Sequence, residues 1–204
     1  EPDGRNTAPA AAAAALMLAQ TDPATLMLLV PSDHAIADAD AFRDVVKAGK
    51  QAAEEGQIVT FGIAPTRPET GFGWLESGAE SHPQVMKLES FIEKPDQARA
   101  EALLQDKRYL WNAGVFLARA DVMLEAFRTH APEVLAPVEA AMATVTEDLS
   151  FTRIDPVLWA QVPDISIDYA VMEKASWWAS GSRTWSPWRC ATRSWSRTCP
   201  TART

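Results

Sequence analysis

Residues 25–63 read TLMLLVPSDHAIADADAFRDVVKAGKQAAEEGQIVTFGI, and this stretch decides the fold. The apolar run at 25–30 has the length of a buried strand, and residues 57–63 form a second run of that kind. Between them, residues 40–55 carry apolar side chains at helical spacing, and Gly56 is well suited to end a helix. A strand, a helix and a second strand in this order predict two parallel strands joined by a crossover helix.

The same alternation extends in both directions. Before this stretch, an Ala-rich helix is predicted up to Gln20, with Asn6 and Thr7 as capping residues. After it come a loop and hairpin region and then elements predicted at 85–92 (strand), 95–107 (helix), 109–118 (strand), 120–130 (helix), 132–144 (helix) and 166–174 (short helix). For residues 1–174 we therefore predict an α/β fold with a doubly wound, mixed and mainly parallel sheet.

The composition is that of a globular domain and argues against several function classes. The chain has 204 residues, 47% of them hydrophobic, which is enough for one α/β domain. Its net charge of −8 argues against nucleic acid as a general partner, and no apolar run approaches the ~20 residues of a membrane helix. Because no signal-peptide pattern is visible, we expect a cytoplasmic protein without a membrane partner. Two cysteines, both near the C-terminus, do not suit a disulfide scaffold or a multi-cysteine zinc site.

The composition changes sharply after Lys174. Residues 175–204 contain five of the eight Trp, five Arg and both Cys, but no Asp, Glu, Leu, Ile, Val, Met or Phe. We predict that this segment is disordered, and our hypothesis is a frameshift, because Trp, Arg, Ser and Cys accumulate when a GC-rich gene is read in a wrong frame. A basic aromatic arm that stacks on nucleic-acid bases is the alternative. Sequencing the source gene tests the frameshift, which an intact reading frame would contradict.

The turn at residues 31–34 (PSDH) is the first candidate for chemistry. It follows a buried strand, and ligands of α/β sheets bind at the carboxyl ends of strands. Asp33 in this turn suits Mg²⁺, which prefers one or two carboxylates together with phosphate oxygens. Asp33 as a turn cap is the alternative, and His34 is interpreted as a structural residue.

Four further positions have groups that suit contact with a polar ligand. Glu93 can accept hydrogen bonds from hydroxyl groups, and Lys94 can pair with a phosphate. Asn112 offers a donor and an acceptor, which suits a polyol. Gly71, like Gly73, allows the backbone to approach a ligand closely.

Each of these patterns also has a purely structural interpretation. Glu93 and Lys94 are consistent with a solvated charge pair, and residues 112–114 with a plain turn. Asp168 is interpreted as a residue of a first helical turn, where negative charge is favourable. Trp74 and Trp111 are interpreted as packing residues.

Six blocks of sequence, in a fixed order, carry a resemblance to one family. The blocks are residues 1–9 (EPDGRNTAP), 31–34 (PSDH), 61–74 (FGIAPTRPETGFGW), 91–95 (FIEKP), 111–116 (WNAGVF) and 166–174 (SIDYAVMEK). Each block alone is a modest signal, but together they span nearly all of residues 1–174. The chain resembles the sugar-1-phosphate nucleotidyltransferases and, among them, the mannose-1-phosphate guanylyltransferases.

The resemblance implies a nucleotide-diphospho-sugar transferase type of fold and a reaction that makes GDP-mannose and pyrophosphate from GTP and mannose 1-phosphate with Mg²⁺. It implies Asp33 as the metal ligand and, with Lys94, as a catalytic residue. Gly71, Glu93 and Asn112, again with Lys94, are expected to bind the sugar phosphate. The residues expected near the nucleotide are Arg5, Asn6 and Thr7.

Two features of the family are missing from the sequence. Nothing resembles its Gly-rich, Arg-containing triphosphate loop or the block GWSDVGSW that carries a second metal ligand. We therefore expect a fold that is incomplete at the N-terminus and a chain that is inactive, without the isomerase domain of bifunctional members. The alternatives are a related thymidylyl- or uridylyltransferase and a non-catalytic protein that binds sugar phosphates. For the intact protein a homodimer is expected.

Overall fold

The computed structural model describes residues 1–149 and 151–175, together with the backbone of residues 178–180 and 188–190. The helices in these residues are α1 (Thr7–Thr21), α2 (Ala39–Glu54), α3 (Gln97–Gln105), α4 (Ala120–His130), α5 (Pro132–Met142), α6 (Pro156–Trp159) and a π-helix (Asp168–Met172). The strands are β1 (Leu26–Leu29), β2 (His34–Ile36), β3 (Val59–Ile63), β4 (Trp74–His82), β5 (Val85–Ile92), β6 (Tyr109–Arg119), β7 (Thr146–Asp148), β8 (Phe151–Arg153), β9 (Trp178–Ser180) and β10 (Trp188–Cys190).

The central sheet of the described residues has the strand order β1-β6-β3-β9-β5-β4, with a further pairing between β6 and β4. Strand β6 lies between β1 and β3 and is antiparallel to both, because Leu29 pairs with Phe116 and Ile63 pairs with Trp111. It follows that β1 and β3 run in the same direction. Their carboxyl ends meet along residues 111–116 of β6.

Two hydrophobic cores lie on opposite faces of this sheet. On one face α1, α4, α5 and the π-helix pack around the fully buried Phe127 and Trp159. On the other face α2 and α3 pack against Phe61 and Trp74, which are fully buried as well. Helices on both faces of a sheet are the arrangement of a doubly wound fold.

Side-chain alternation along β6 separates the two cores. Val115 and Leu117 belong to the core under α2 and α3, whereas Phe116 and Ala118 belong to the core under α1 and α4. Successive side chains of a strand point to opposite faces, so a strand that is apolar at every position must be covered on both sides. The continuous apolar sequence of β6 after residue 114 therefore requires the second helical layer.

Short acidic side chains determine where two of the helices begin. Asp38 accepts a hydrogen bond from the backbone N of Ala41 at 2.9 Å, and Asp96 accepts one from the backbone N of Arg99 at 2.8 Å. Such caps contribute about 1 kcal/mol each to helix stability. They fix the starts of α2 and α3, the helices that cover one face of the sheet.

The α/β class and the mixed sheet are confirmed, but the strand pairings differ from the predicted mainly parallel arrangement. Within the described part of the central sheet, β3 and β9 pair in parallel and the other pairings are antiparallel. Strands β1 and β3 do share a direction, as the crossover helix α2 requires, but β6 is inserted between them. Local sequence patterns do not indicate which strand from a distant part of the chain will lie between two others. The β7–β8 hairpin and α6 were not predicted from the sequence.

The segment predicted to be disordered, residues 175–204, is described only in part. Residues 178–180 form β9, which pairs with β3 and β5, and residues 188–190 form β10, which pairs with β2. The remaining residues after Ala175 lie outside the described residues, so the frameshift and the nucleic-acid arm remain predictions. In the part of the chain that the structure describes, no helix is both long enough and apolar enough to cross a membrane.

Candidate functional site

Polar side chains gather where the carboxyl ends of three strands come close to β6. The last residue of β3 pairs with Trp111, and the last residue of β5 pairs with Trp74, which is itself paired with Trp111. Strand β1 is followed by Pro31, and a Cβ placed on Gly114 would lie 3.7 Å from Cγ of Pro31. Because ligands of open α/β sheets bind at the carboxyl ends of strands, this end of the sheet is the candidate site.

A bulge in β6 brings Asn112 into this site. Thr60 pairs with Phe116 while Gly62 pairs with Asn112, so a step of two residues in β3 corresponds to a step of four in β6. The extra length is accommodated at Gly114, whose φ of 65° lies in the left-handed region that favours glycine. Bulges next to functional sites re-aim side chains, and this one turns Asn112 toward the π-helix.

Hydrogen bonds fix the orientation of the Asn112 amide. Its Oδ1 accepts from Oγ1 of Thr60 at 2.9 Å and from the backbone N of Gly114 at 3.1 Å. Its Nδ2 donates to Oδ1 of Asp168 at 3.1 Å. Since the backbone N–H of Gly114 can only donate, the amide oxygen must face Gly114 and the NH₂ group must face Asp168.

Glu93 and Lys94 follow β5 and form an ion pair beside Gly73. Nζ of Lys94 lies 2.8 Å from Oε1 of Glu93, and 6% of the Glu93 side chain is exposed compared with 51% for Lys94. A Cβ on Gly73 would lie 2.7 Å from Oε2 of Glu93, so a larger residue there would displace this carboxylate. The hydrogen bond to Glu93 is the main cause that raises the pKa of Lys94. The pair thus presents an exposed ammonium group next to a carboxylate that is almost fully buried.

Asp168 adds a second carboxyl group at the start of the π-helix. Burial and then the charge of Glu93 raise the pKa of Asp168 to about 6, against the lowering effects of Lys94 and Asn112. A carboxyl group with a strongly raised pKa near other polar groups is a candidate functional residue. We refer to Glu93, Lys94, Asn112 and Asp168 as the polar cluster. Its two carboxyl groups, one ammonium and one amide can bind several hydroxyl groups and a phosphate at once.

The N-terminal segment packs beside the polar cluster. Oγ1 of Thr7 accepts a hydrogen bond of 2.9 Å from the backbone N of Ile167, which precedes Asp168. Asn6 caps α1 by accepting from the backbone N of Thr7 at 3.0 Å, and Nη2 of Arg5 donates to the carbonyl of Ala160 at 3.3 Å. The structure therefore brings Thr7 next to the cluster, while Asn6 has the capping role that its sequence predicted.

Gly71 lies in the loop before β4 and is exposed. Its backbone N donates to Oε1 of Glu69 at 3.1 Å, and Glu69 in turn binds Arg67 at 2.9 Å. Gly73, two residues later, is the buried glycine that lies against Glu93. Of the two glycines considered from the sequence, the structure assigns the close contact with the polar cluster to Gly73.

Asp33 lies in the turn between β1 and β2 and is exposed. Burial lowers the pKa of the neighbouring His34, an effect that the charge of Asp33 partly opposes. In the described ranges there is no group of three or more His, Cys, Asp or Glu side chains that could hold a metal ion. A single carboxylate suits Mg²⁺ that is bound mainly through water and substrate phosphates, because Mg²⁺ requires only one or two protein carboxylates in such sites.

The structure decides between several of the alternatives that the sequence left open. Asn112 lies within β6 and not in a plain turn. Glu93 and Lys94 do form a charge pair, but Glu93 is buried and not solvated. Trp74 and Trp111 are core residues with their ring centroids 6.2 Å apart in an edge-to-face contact, which confirms the packing interpretation.

The polar contacts of Asp168 and Thr60 were not predicted from the sequence. Asp168 does begin a helix, as interpreted, but it also binds Asn112, which is 56 residues away in the chain. Thr60 binds the same side chain from 52 residues away. No local spacing reports such contacts, and the only available signal for Asp168 was its position in the block at 166–174.

Comparisons with known proteins agree with the resemblance. The chain matches the family model described as nucleotidyl transferase over residues 1–185, which extends past the boundary predicted at residue 174. It is 43% identical over 182 residues to the mannose-1-phosphate guanylyltransferase of Escherichia coli, covering 86% of this chain and 38% of that protein. It is 46% identical over 176 residues to the xanthan biosynthesis protein XanB of Xanthomonas campestris, covering 86% and 37%. The chain thus spans little more than a third of the length of these relatives.

Two solved structures share the fold. One is described as mannose-6-phosphate isomerase from Helicobacter pylori, with a TM-score of 0.81 and 30% identity over 92% of this chain and 71% of that chain. The other is described as mannose-1-phosphate geranyltransferase from Thermus thermophilus, with a TM-score of 0.77 and 36% identity over 93% and 53% of the two chains. The layered α/β arrangement described above is therefore that of known sugar-phosphate enzymes.

Proposed function

The chain belongs to the nucleotidyl transferase family, and on this premise we propose that it serves the synthesis of GDP-mannose and pyrophosphate from GTP and mannose 1-phosphate. The relatives named as mannose-1-phosphate guanylyltransferases, at 40–44% identity, support this substrate pair. Within the proposal, the described residues supply the part of the site that binds the sugar phosphate.

The polar cluster is the feature that supports the proposal most directly. A sugar phosphate presents several hydroxyl groups and one phosphate, and the cluster offers carboxyl acceptors, an amide donor and one ammonium group. The carboxylate of Glu93 packs against Gly73, and both the oxygen and the nitrogen of the Asn112 amide are hydrogen-bonded. Groups that are fixed before the ligand arrives lose little entropy on binding, which favours both affinity and orientation.

In the proposed reaction, a phosphate oxygen of mannose 1-phosphate forms a bond to the α-phosphorus of GTP, and the bond from that phosphorus to the pyrophosphate oxygen breaks. The attacking oxygen is already anionic, so no residue has to remove a proton. Lys94 would hold the attacking phosphate while Glu93 and Asn112 hold sugar hydroxyls, so that the protein acts mainly by positioning. Asp33 would hold Mg²⁺, which neutralises charge on the phosphates when it is bound.

The remaining predicted roles are part of the same proposal. Gly71 would approach the sugar, and Arg5, Asn6 and Thr7 would lie near the nucleotide. The contact of Thr7 with the segment that carries Asp168 supports a location of the N-terminal segment beside the polar cluster. A cytoplasmic location, Mg²⁺ as the metal, and a homodimer of the intact protein also remain proposals.

Isothermal titration calorimetry tests the sugar-phosphate part of the proposal. We expect the chain to bind mannose 1-phosphate more tightly than glucose 1-phosphate. A preference for glucose 1-phosphate would favour a related thymidylyl- or uridylyltransferase, and failure to bind any sugar phosphate would contradict the proposed site.

Pyrophosphate release in the presence of GTP, UTP or dTTP tests the reaction. Because nothing in the sequence resembles the Gly-rich triphosphate loop, we propose that this chain by itself binds mannose 1-phosphate without turnover. Binding without turnover is also the behaviour of the alternative, a non-catalytic sugar-phosphate protein. Supplying both features that the sequence lacks, the triphosphate loop and the GWSDVGSW block, separates the two, since restored GDP-mannose synthesis is expected only of the enzyme.

A further inference from the structure

Thr60 is a buried polar residue in the middle of β3, a strand whose other side chains are apolar. Only 1% of Thr60 is exposed, and every residue of this strand, VTFGI, is buried. Valine would fill the same space and suits a strand equally well. A buried hydroxyl is unfavourable unless it is hydrogen-bonded, so its partners must account for its presence.

The hydroxyl of Thr60 lies between two acceptors on either side of the β6 bulge. Its Oγ1 is 2.9 Å from Oδ1 of Asn112, which precedes the bulge, and 3.2 Å from the carbonyl oxygen of Val115, which follows it. The backbone N of Gly114, inside the bulge, donates to the same Oδ1. Because a hydroxyl has one proton, the two contacts are the branches of one three-centre hydrogen bond, which ties both ends of the bulge to β3.

We propose that Thr60 is a positioning residue for sugar-phosphate binding, whose hydroxyl holds the β6 bulge and the Asn112 amide in the orientation that directs Nδ2 toward Asp168. The inference rests on the proposed function, because Asn112 is its link to the ligand. Thr60 acts through Asn112 and does not itself contact the sugar phosphate.

The hydrogen bonds form one continuous chain from the sheet to the π-helix. They run from Thr60 to Oδ1 of Asn112 and from Nδ2 of Asn112 to Oδ1 of Asp168. Without the hydroxyl, the amide oxygen keeps only the donor at Gly114, and the bulge loses its contact with β3 through Val115. The Gly114 donor still sets which way the amide faces, but the amide oxygen is then held at one point instead of two, and Nδ2 is directed less firmly toward Asp168. The groups offered to a ligand are then less well positioned although no ligand-contacting residue has been replaced.

Two substitutions separate the hydroxyl from the shape of the side chain. Thr60→Val keeps the shape and removes the hydroxyl, whereas Thr60→Ser keeps the hydroxyl and removes a buried methyl group. Both should lower stability, Val by removing a buried hydrogen bond and Ser by leaving a small cavity. A role limited to stability therefore predicts that both variants lose function, while the positioning role predicts that Ser resembles the wild type.

The ligand-free test is the pair of ¹H–¹⁵N resonances of the Asn112 side-chain amide, measured in the full chain well below the unfolding temperature of each variant. We expect Thr60→Val to shift or broaden these resonances and Thr60→Ser to leave them close to the wild type. Unchanged resonances in Thr60→Val would overturn the proposal. This readout does not require mannose 1-phosphate to be the ligand, so it stands if the proposed function fails.

The ligand-dependent test is calorimetry with mannose 1-phosphate on the same three proteins. We expect Thr60→Val to raise Kd roughly tenfold, which corresponds to the free energy of about one hydrogen bond. We expect Thr60→Ser to change Kd by less than about threefold. Equal losses in both variants would overturn the positioning role in favour of a purely structural one. A wild-type chain that binds no sugar phosphate, with the amide still disturbed in Thr60→Val, would overturn the proposed function and leave the positioning of Asn112 intact.

Discussion

The polar cluster and the turn at residues 31–34 lie at the same end of the sheet, but they are built in opposite ways. In the cluster, Glu93 is almost fully buried and Asn112 is bonded through both its oxygen and its nitrogen. In the turn, the carboxylate of Asp33 is exposed on a short connection between two strands. One region is fixed by the protein, and the other presents a charge to the solvent.

This difference follows from what each region is proposed to bind. The hydroxyl groups of a sugar are neutral and differ between sugars only in direction, so the groups that read them must be held in place. A metal ion and phosphates carry their own charge and bring their own oxygen ligands, so one accessible carboxylate is sufficient. Changes in the cluster should therefore affect both stability and affinity, whereas changes in the turn should affect ion-dependent binding alone.

Replacing Lys94 by Met should have the largest effect on affinity. The variant loses the ammonium group for the phosphate and leaves the buried Glu93 without its ion-pair partner. We expect Kd for mannose 1-phosphate, measured by calorimetry, to rise roughly 100-fold, because a charged hydrogen bond is worth about 1.5–3 kcal/mol. The control is Lys47→Met, which removes an exposed ion pair with Asp44 on α2 and should leave Kd unchanged. A similar loss in both variants would mean that Lys94 has no special role.

Replacing Gly73 by Ala tests how tightly the cluster is packed. The new Cβ would lie 2.7 Å from Oε2 of Glu93 and 3.3 Å from Cβ of Asn112, so these groups have to move. We expect a loss of about 1–3 kcal/mol in the free energy of unfolding, measured with urea, and a weaker affinity for mannose 1-phosphate.

Gly71→Ala is the matched control in the same loop. Its Cβ would meet only Oε1 of Glu69 at 3.3 Å, the end of a flexible side chain, and we expect little change in stability. If Gly71→Ala reduced affinity as strongly as Gly73→Ala, the sugar would contact Gly71 directly, as the sequence resemblance implies. If neither substitution had an effect, the cluster would not be rigid.

The sequence predicted the elements better than it predicted the contacts between them. The run at 25–30 and the helix at 40–55 were readable because apolar periodicity and a capping glycine are local signals. The insertion of β6 between β1 and β3 could not be predicted, because it depends on pairing between strands that lie far apart in the sequence.

The residues of the candidate site show the same difference between local sequence signals and contacts over long distances in the chain. Glu93, Lys94 and Asn112 were found because they occur in recognisable blocks of sequence. Thr60 was not found, because its side chain is ordinary for a strand and becomes informative only when a bulge places it beside Asn112. Asp168 was assigned to a helix start correctly, but its raised pKa depends on burial and on Glu93, which are tertiary effects.

Replacing Asp168 by Asn should change how stability depends on pH. The pKa of Asp168, about 6, is above its usual value of 3.8, so the folded protein binds this proton more tightly than the unfolded chain does. The resulting stabilisation is complete below pH about 4 and is lost as pH rises through about 6. We expect Asp168→Asn to be more stable than the wild type at pH 8 by about 1–3 kcal/mol and to lose this advantage near pH 4, as measured by urea unfolding at each pH. A pH-independent difference between the two proteins would show that Asp168 titrates normally.

Replacing Asp33 by Asn should have the smallest effect. Since Asp33 is exposed, we expect the free energy of unfolding to change by less than about 0.5 kcal/mol and the Kd for mannose 1-phosphate in EDTA to stay the same. Added Mg²⁺ should tighten binding of mannose 1-phosphate roughly two- to fivefold in the wild type and not in Asp33→Asn, because Asp33 would hold the ion, which would offset the charge of the phosphate. If Asp33→Asn instead destabilised the fold by more than about 1 kcal/mol, Asp33 would be a turn cap, and the turn would be as much a part of the framework as the polar cluster.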